Sequence, residues 1–241
     1  MRVNKIALAG NPNTGKSTLF NTLTGLKQHT GNWPGKTVVH AEGTFEHKGE
    51  QYVLVDLPGT YSLFSNSTDE EVARDYIIFD HPDATIVVLD ATSLERNLNL
   101  ALQVLEMTNN VIICINLIDE AEKKGIRIDE KKLARELGVP VVKISARNKK
   151  GIGQLLDTLN QLVNGQIITT PYRMTYSREI EEAISKIESK LNGYFDDNYP
   201  SRWVALRLLD GDEDLIVKLH NHNNTRQREV STNGVPVSVK S

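Results

Sequence analysis

The chain has a single cysteine, Cys114, so a disulfide between two of its own residues is excluded. Cys114 lies within the apolar run 111–115, where a buried and unreactive thiol is expected. The sequence also lacks any apolar stretch approaching the roughly 20 residues of a membrane-spanning helix, and it enters its first strand pattern without a signal peptide. From these absences we expect a soluble cytoplasmic piece of protein.

An excess of positive charge is absent as well. The 28 Lys and Arg residues are outnumbered by 31 Asp and Glu residues, which gives a formal net charge of -3 and a pI of about 6.1. Since proteins that grip nucleic acid present a basic face, we expect no nucleic-acid partner. The histidines show no spacing typical of a metal site and are expected in surface or packing roles; they are His29, His40, His47, His81, His220 and His222.

What the sequence does contain is a phosphate-binding loop. Residues 10–17 match G-x-x-x-x-G-K-[ST], between an apolar strand pattern and a helix pattern. The glycines let backbone N–H groups turn towards phosphate oxygens, and the helix adds the positive end of its dipole. Lys16 would supply charge to the outer phosphates, and Ser17 would offer a hydroxyl to Mg²⁺. The predicted phosphate-binding residues are Gly10, Asn11, Pro12, Asn13, Thr14, Gly15, Lys16, Ser17 and Thr18.

A second motif would select the base. Residues 116–119, Asn-Leu-Ile-Asp, follow the apolar run that contains Cys114. Asp119 can accept the N1–H and the exocyclic amine of guanine, a donor pair that adenine lacks. The usual GTPase motif is Asn-Lys-x-Asp, and Leu117 replaces its lysine; taken alone, a plain strand-to-helix turn capped by Asp119 is the alternative. The predicted base-binding residues are Asn116, Leu117 and Asp119, with Ser145, Ala146 and Arg147 in a loop that closes over guanine.

Two loops are predicted to sense the γ-phosphate, switch I at 27–37 and switch II at 56–66. The Thr37 hydroxyl would complete the Mg²⁺ shell and its carbonyl would hold the attacking water. Asp56 fits the Walker-B role of holding Mg²⁺ through water, and the Gly59 N–H fits the γ-phosphate sensor. The predicted nucleotide contacts here are Gly35, Lys36, Thr37, Val38, Val39, Asp56, Leu57, Pro58 and Gly59.

One expected catalytic part is missing. Ras-like enzymes place a glutamine directly after the Asp-x-x-Gly glycine to orient water, and Thr60 stands there in this chain. Either hydrolysis is slow or the water is positioned otherwise. The amide oxygen of Asn13 could face the α/γ-phosphate edge, where a monovalent cation would stand in for an arginine finger. The predicted catalytic residues are Asn13, Lys16, Thr37 and Gly59, and the predicted Mg²⁺ ligands are Ser17, Thr37 and Asp56.

The hydrophobic patterns predict an α/β fold. Strand and helix patterns alternate, which indicates a mostly parallel sheet with helices on both faces, here a Ras-like P-loop GTPase with six strands. The predicted strands are 6–9, 37–45, 52–56, 85–90, 111–115 and 141–144, and the helices 18–23, 67–79, 93–108, 129–137 and 151–163. Helices at 177–192, 203–209 and 214–219 predict a small all-helical domain. The predicted division is a G domain at 1–165, a helical domain at 166–220 and a loose tail at 221–241.

These motifs together resemble the cytoplasmic N-terminal region of the ferrous iron transport protein B (FeoB) family. The resemblance rests on residues 10–17, 31–35, 56–63, 90–92, 94–98 and 116–121. Asn-Trp-Pro-Gly at 32–35, ahead of the switch threonine, is the most distinctive segment. The resemblance covers the G domain to about Val163 and continues more loosely to about Leu219.

The resemblance implies a GTPase domain, a helical domain that slows GDP release, and a membrane permease of the same polypeptide that this chain lacks. It also implies activation by K⁺ through Asn13 and the switch I carbonyls near Trp33, and it softens the departure at Leu117. From it we expect slow, K⁺-stimulated hydrolysis of GTP to GDP with Mg²⁺, at the cytoplasmic face of the bacterial inner membrane, regulating or driving ferrous iron uptake. Assembly into a homo-oligomer through the membrane protein stays open.

Two other functions remain as alternatives. In the first, GTP occupancy of a nucleotide-gated binding module is the signal, and hydrolysis merely resets it; Thr60 in place of glutamine favours this slightly. In the second, the chain is a soluble GTPase acting on the ribosome or tRNA. The acidic pI of about 6.1 and the switch I sequence weigh against the second.

Overall fold

The computed structural model describes residues 3–25, 28–33, 36–64, 67–191, 199–212, 215, 217–219 and 221. The chain divides into two compact units, Met1–Met174 and Thr175–Ser241. The first unit is built on a sheet and the second is helical in its described part.

A seven-stranded sheet lies at the centre of the described part of the first unit, in the order β2-β3-β4-β1-β5-β6-β7. β1 runs parallel to β4 and β5, and β5-β6-β7 continue in parallel, whereas β2-β3-β4 are antiparallel. The predicted mostly parallel P-loop fold is therefore confirmed. The strands are β1 Val3–Gly10, β2 Gln28–Asn32, β3 Val39–His47, β4 Glu50–Asp56, β5 Ala84–Asp90, β6 Val111–Asn116 and β7 Val141–Lys143.

Helices cover the sheet because its central strands are apolar on both faces. All six residues of β6 are buried, as a strand between two helical layers requires. Burial raises the pKa of the Cys114 thiol, which keeps it protonated and unreactive, as predicted. The helices are α1 Lys16–Thr24, α2 Thr68–Phe79, α3 Leu94–Met107, α4 Ile118–Lys123, α5 Glu130–Leu137 and α6 Ile152–Val163, with α7 Arg178–Leu191 and α8 Ser201–Leu209 in the second unit.

Two elements differ from the prediction. The segment assigned to a loop contains β2, which pairs with β3 from Gln28 opposite Gly43 to Asn32 opposite Val39, so the sheet has seven strands instead of six. Most of β2 is exposed, and it therefore carries no apolar alternation that a sequence pattern could show. Helix α4 is also new; it has six residues, too few for a periodic pattern.

The extended segment that follows α6 groups with the first compact unit, which runs to Met174. Main-chain N–H groups of Thr170 and Tyr172 donate to the carbonyls of Gly138 and Leu137, each at 2.9 Å. The Met174 N–H donates to a carboxylate oxygen of Glu106 at 2.7 Å. We call residues 169–174 the strap, because these bonds hold it against the ends of α3 and α5.

The second unit is held by packing of α7 on α8 and by one bidentate ion pair. Ile184 of α7 is fully buried, as is most of Trp203 on α8. The Arg202 guanidinium donates to both carboxylate oxygens of Glu181, at 2.8 and 2.9 Å. The predicted helix 214–219 falls largely outside the described residues, and the predicted tail falls outside them except for Asn221.

Across the described ranges, none of the helices combines the length and the apolar character needed to cross a bilayer.

The Glu181 ion pair should make the second unit sensitive to acid. Hydrogen bonds from Arg202 and from the Tyr176 N–H lower the pKa of Glu181 from 4.5 to about 2. A lowered carboxyl pKa adds stability above the unfolded value, and that stability is lost as pH falls through the folded value. We expect Glu181→Gln to lower the thermal midpoint at pH 7 and to flatten its decline between pH 4.5 and about 2.

The measurement is Trp203 fluorescence during thermal unfolding, in a Trp33→Phe background so that one indole reports. Glu182→Gln is the matched control, since Glu182 lies on the same helix and makes an exposed i,i+4 pair with Arg178 among the described residues. A Glu181→Gln protein with the same acid profile as the Glu182→Gln protein would contradict the assignment.

Candidate functional site

The predicted site residues follow neighbouring strands of the sheet. Leu8 pairs with Asp56, Gly10 with Val88, and β5 ends opposite Asn116 of β6. Because parallel strands end at one edge, the loops after β4, β1, β5 and β6 meet there, as ligand sites in such sheets do. The P-loop, the start of the predicted switch II and the predicted base-binding loop therefore share one edge of the sheet.

The P-loop adopts a backbone that places successive N–H groups at the start of α1. Gly15 has φ 80° and caps the helix, and Asn13 has φ 65°, so both lie in the left-handed region. Gly10 is needed for close approach, since a Cβ there would lie 2.7 Å from the Val88 carbonyl oxygen. The Thr14 hydroxyl donates to the Asn11 carbonyl at 2.9 Å and closes the turn. This loop is built to receive an anion at the positive end of a helix.

Lys16 joins the P-loop to the end of β4. Its ammonium forms an ion pair with the Asp56 carboxylate and donates to the Leu57 carbonyl at 2.6 Å. Burial raises the pKa of Asp56, and the Lys16 charge opposes that rise. The predicted phosphate-binding cation and the predicted Mg²⁺ carboxylate are thus in direct contact.

Oxygen donors suited to Mg²⁺ gather near this pair. Ser17 follows Lys16 in the first turn of α1 with an exposed side chain, and Asp56 supplies a carboxylate. Magnesium is usually bound by one or two carboxylates together with substrate phosphates, so this donor set fits the ion. The described residues contain no group of three or more His, Cys, Asp and Glu residues able to hold a metal by themselves.

Asn116 connects three loops through one buried side chain, which is 1% exposed. Its amide nitrogen donates to the Thr14 carbonyl at 2.9 Å. Its amide oxygen accepts from the Ala146 N–H at 3.0 Å. The P-loop, the 116–119 segment and the 145–147 loop are thereby held as one unit, with Leu117 at φ 62° starting α4.

The Asp119 carboxylate lies beside the 145–147 loop. A hydrogen bond from the Ser145 side chain is the largest of the effects that lower the pKa of Asp119. Asn148, which the sequence analysis missed, donates to Asp119 Oδ2 at 3.1 Å. Its position three residues after Ser145 is the only hint that the sequence offers. Arg147 follows with an exposed side chain.

Switch I packs on α2 through contacts that the sequence did not indicate. The Trp33 ring lies 4.6 Å from the His40 ring and 5.4 Å from the Tyr76 ring, measured between centroids. The Lys36 ammonium pairs with Glu71 at 2.6 Å. Thr37 is exposed beside these contacts, and Val38 and Val39 lead into β3. Gly35, a predicted nucleotide contact, lies outside the described residues.

Switch II begins against the P-loop. A Cβ added at Gly59 would lie 3.5 Å from Pro12, in ordinary van der Waals contact, so the two loops lie close together. The Leu57 N–H donates to the Leu8 carbonyl at 3.0 Å, and the Leu57 side chain is buried. Thr60, at the glutamine position of Ras-like enzymes, is 5% exposed.

Comparison with known proteins identifies the family. Residues 4–159 match the family model described as ferrous iron transport protein B, and residues 176–232 match that of the FeoB cytosolic helical domain. The chain belongs to the FeoB family. The resemblance stated from the motifs is therefore confirmed.

Solved and curated FeoB proteins support this membership. The cytosolic domain of T. maritima FeoB in apo form has a TM-score of 0.83 at 38% identity, covering 99% of this chain and 89% of that chain. Its GMPPNP form has a TM-score of 0.82 at 37% identity, covering 98% and 88%. The Fe(2+) transporter FeoB of Salmonella typhimurium is 41% identical over 214 residues. That match covers 86% of this FeoB chain but only 27% of the transporter, so the chain spans a minor part of its curated relatives.

The contact between Gly15 and Asn116 should dominate the stability of this site. A Cβ at Gly15 would overlap the Asn116 amide nitrogen, whereas a Cβ at Gly165, with a similar positive φ, meets nothing within 4 Å. We expect Gly165→Ala to cost about 1 kcal/mol for the left-handed backbone alone. Gly15→Ala should cost at least about 2 kcal/mol more, since the buried amide loses its partners. Urea unfolding without nucleotide measures both, and equal losses would contradict the bridging role of Asn116.

Proposed function

We propose that this FeoB chain binds GTP and hydrolyses it to GDP and phosphate. The observation that carries the proposal is the Asn116 side chain, which ties a phosphate-binding loop to a base-binding loop through bonds of 2.9 and 3.0 Å. A site that holds a triphosphate and a purine needs both loops in a fixed relation. The cytosolic domain of T. maritima FeoB, a relative solved in GDP and GMPPNP forms, supports the same nucleotide.

In the proposed reaction, water attacks the γ-phosphate in line with the departing GDP oxygen. Lys16 and the P-loop N–H groups donate to the phosphate oxygens and neutralise the charge that develops. The Thr37 carbonyl would hold the attacking water, and the Gly59 N–H would contact the γ-phosphate. Mg²⁺ held by Ser17, Thr37 and Asp56 would supply further positive charge at the outer phosphates.

Thr60, at the position of the Ras-like glutamine, bears on the expected rate of GTP hydrolysis. It is buried, at 5% exposure, and it has no amide with which to orient water. We therefore propose slow hydrolysis. The same observation favours a second candidate function, in which GTP occupancy of the site is the signal and turnover only resets it.

We propose that the nucleotide cycle regulates or drives ferrous iron uptake through a membrane permease of the same polypeptide. The curated relatives are Fe(2+) transporters several times longer than this chain, which covers 26% of the Porphyromonas gingivalis fusion protein and 27% of the Salmonella typhimurium transporter. The fragment would act at the cytoplasmic face of the cell membrane, with its helical unit relaying the state of the switches. Family membership weighs against a role on the ribosome or tRNA.

The base-reading role of Asp119 is tested by exchanging its carboxylate. Asp119→Asn offers an amide donor to the C2 carbonyl of xanthine and removes an acceptor from guanine. We expect GTP affinity to fall at least about 10-fold and XTP affinity to rise, with ATP bound poorly by both proteins. Isothermal titration with Mg²⁺ present measures all three nucleotides. Glu120→Gln is the matched control on the exposed side of α4, and unchanged GTP affinity in Asp119→Asn would refute the role.

The proposed K⁺ site is tested at Asn13. Turnover of GTP in K⁺ should exceed that in Na⁺, because a cation of suitable size at the α/γ edge offsets transition-state charge. Asn13→Ala should remove the difference between the two salts. Asn13→Gly is the paired variant, since it also lacks the amide but adopts φ 65° without strain. A K⁺ response that survives in the glycine variant would rule out the Asn13 amide as a cation ligand.

A further inference from the structure

We propose that Asn148 is a specificity-determining residue that positions the Asp119 carboxylate to read the guanine 2-amino group. The inference rests on the proposed binding of guanine nucleotides at this site. It concerns a residue outside the Asn-Leu-Ile-Asp and Ser-Ala-Arg segments that the motifs single out.

The side-chain amide of Asn148 donates hydrogen bonds to Asp119 and Ser145, two of the residues proposed to bind the base. Its nitrogen lies 3.1 Å from Asp119 Oδ2 and 3.0 Å from the Ser145 hydroxyl oxygen. A carboxylate only accepts hydrogen bonds, so the amide must turn its nitrogen, and not its oxygen, towards Asp119.

Two hydrogen bonds from the Asn148 amide link the Asp119 and Ser145 side chains. The Ser145 oxygen accepts from Asn148, and the Ser145 side chain has the largest effect in lowering the pKa of Asp119, so its hydroxyl can also act on this carboxylate. An ionised carboxylate has about four acceptor positions. Asn148 occupies one of them at Oδ2 and restrains the plane of the group, which leaves other acceptor positions for the N1–H and 2-amino donors of guanine.

The loop that carries Asn148 is held by other bonds. Ser145 and Lys150 exchange backbone hydrogen bonds of 3.0 and 3.1 Å, which close residues 145–150 into a tight turn. The Lys150 ammonium also pairs with Glu122 of α4 at 3.3 Å. The Asn148 side chain is exposed, so its removal leaves no cavity. Asn148→Ala should therefore release the carboxylate and leave the loop in place.

A carboxylate that is free to rotate can still accept one hydrogen bond, but it holds two donors less well. GDP presents both donors, whereas IDP has the N1–H and lacks the exocyclic amine. The loss of Asn148 should therefore weaken GDP more than IDP. This difference separates a positioning role from a general effect on the fold, which would weaken both nucleotides alike.

The experiment measures the dissociation constants of GDP and IDP by isothermal titration calorimetry with Mg²⁺ present, for the unmodified chain and for the Asn148→Ala variant. We expect GDP binding to weaken about threefold to tenfold, the usual value of one hydrogen bond to a charged group, while IDP changes less than about twofold. Asn148→Ser, which keeps a shorter hydroxyl donor, should recover part of the preference for GDP. Asn99→Ala is the control, an exposed asparagine of α3 that lies outside the site.

Equal weakening of both nucleotides, or no change in either, would overturn the positioning role. An unmodified chain that fails to bind GDP would instead overturn the proposed function, so the two failures can be told apart.

Discussion

The buried amide of Asn116 is the interaction on which the rest of the site depends. One side chain satisfies a carbonyl of the P-loop and an N–H of the loop after β7, at 2.9 and 3.0 Å. Buried polar groups are costly when left unpaired, by about 1–3 kcal/mol each, so neither loop can move away without a penalty. The close approach of Gly15 to the same amide adds a steric constraint. The P-loop and the proposed base-binding loops are therefore joined before any ligand arrives.

A second connection, between the P-loop and the start of switch II, is made by the charged side chain of Lys16. Lys16 contacts both the Asp56 carboxylate and the Leu57 carbonyl, so its ammonium touches the residues that open switch II. A phosphate that attracts the Lys16 ammonium would weaken the ion pair of Lys16 with Asp56. Burial already disfavours the charged form of the Asp56 carboxylate. On the other side, Lys36 and Trp33 attach switch I to α2, the helix that follows switch II. Switch I therefore contacts the helix that follows switch II, and switch II begins at the residues that Lys16 contacts.

Sequence patterns predicted the parts of the structure that have a recognisable motif or hydrophobic periodicity. The P-loop, the buried parallel strands and the order of the motifs follow from glycine spacing and hydrophobic runs. β2 could not be predicted because most of its side chains are exposed, and its strand character comes from pairing with β3. Asn148 was missed because its role lies in a hydrogen bond across 29 residues of sequence, which local patterns do not record.

At Thr170 and Tyr172 in the strap, the hydrogen bonds constrain the spacing of the residues more than the identity of their side chains. Thr170 and Tyr172 are held through main-chain N–H groups, which every residue except proline possesses. Related chains can therefore vary the side chains of Thr170 and Tyr172, whereas Gly138 is constrained because a Cβ there would overlap the Thr170 carbonyl. The spacing within the strap is another matter, because inserting or deleting one residue between Thr170 and Tyr172 would move one donor away from its acceptor. In homologous sequences we therefore expect the residue types at positions 170 and 172 to vary while the spacing between them stays the same.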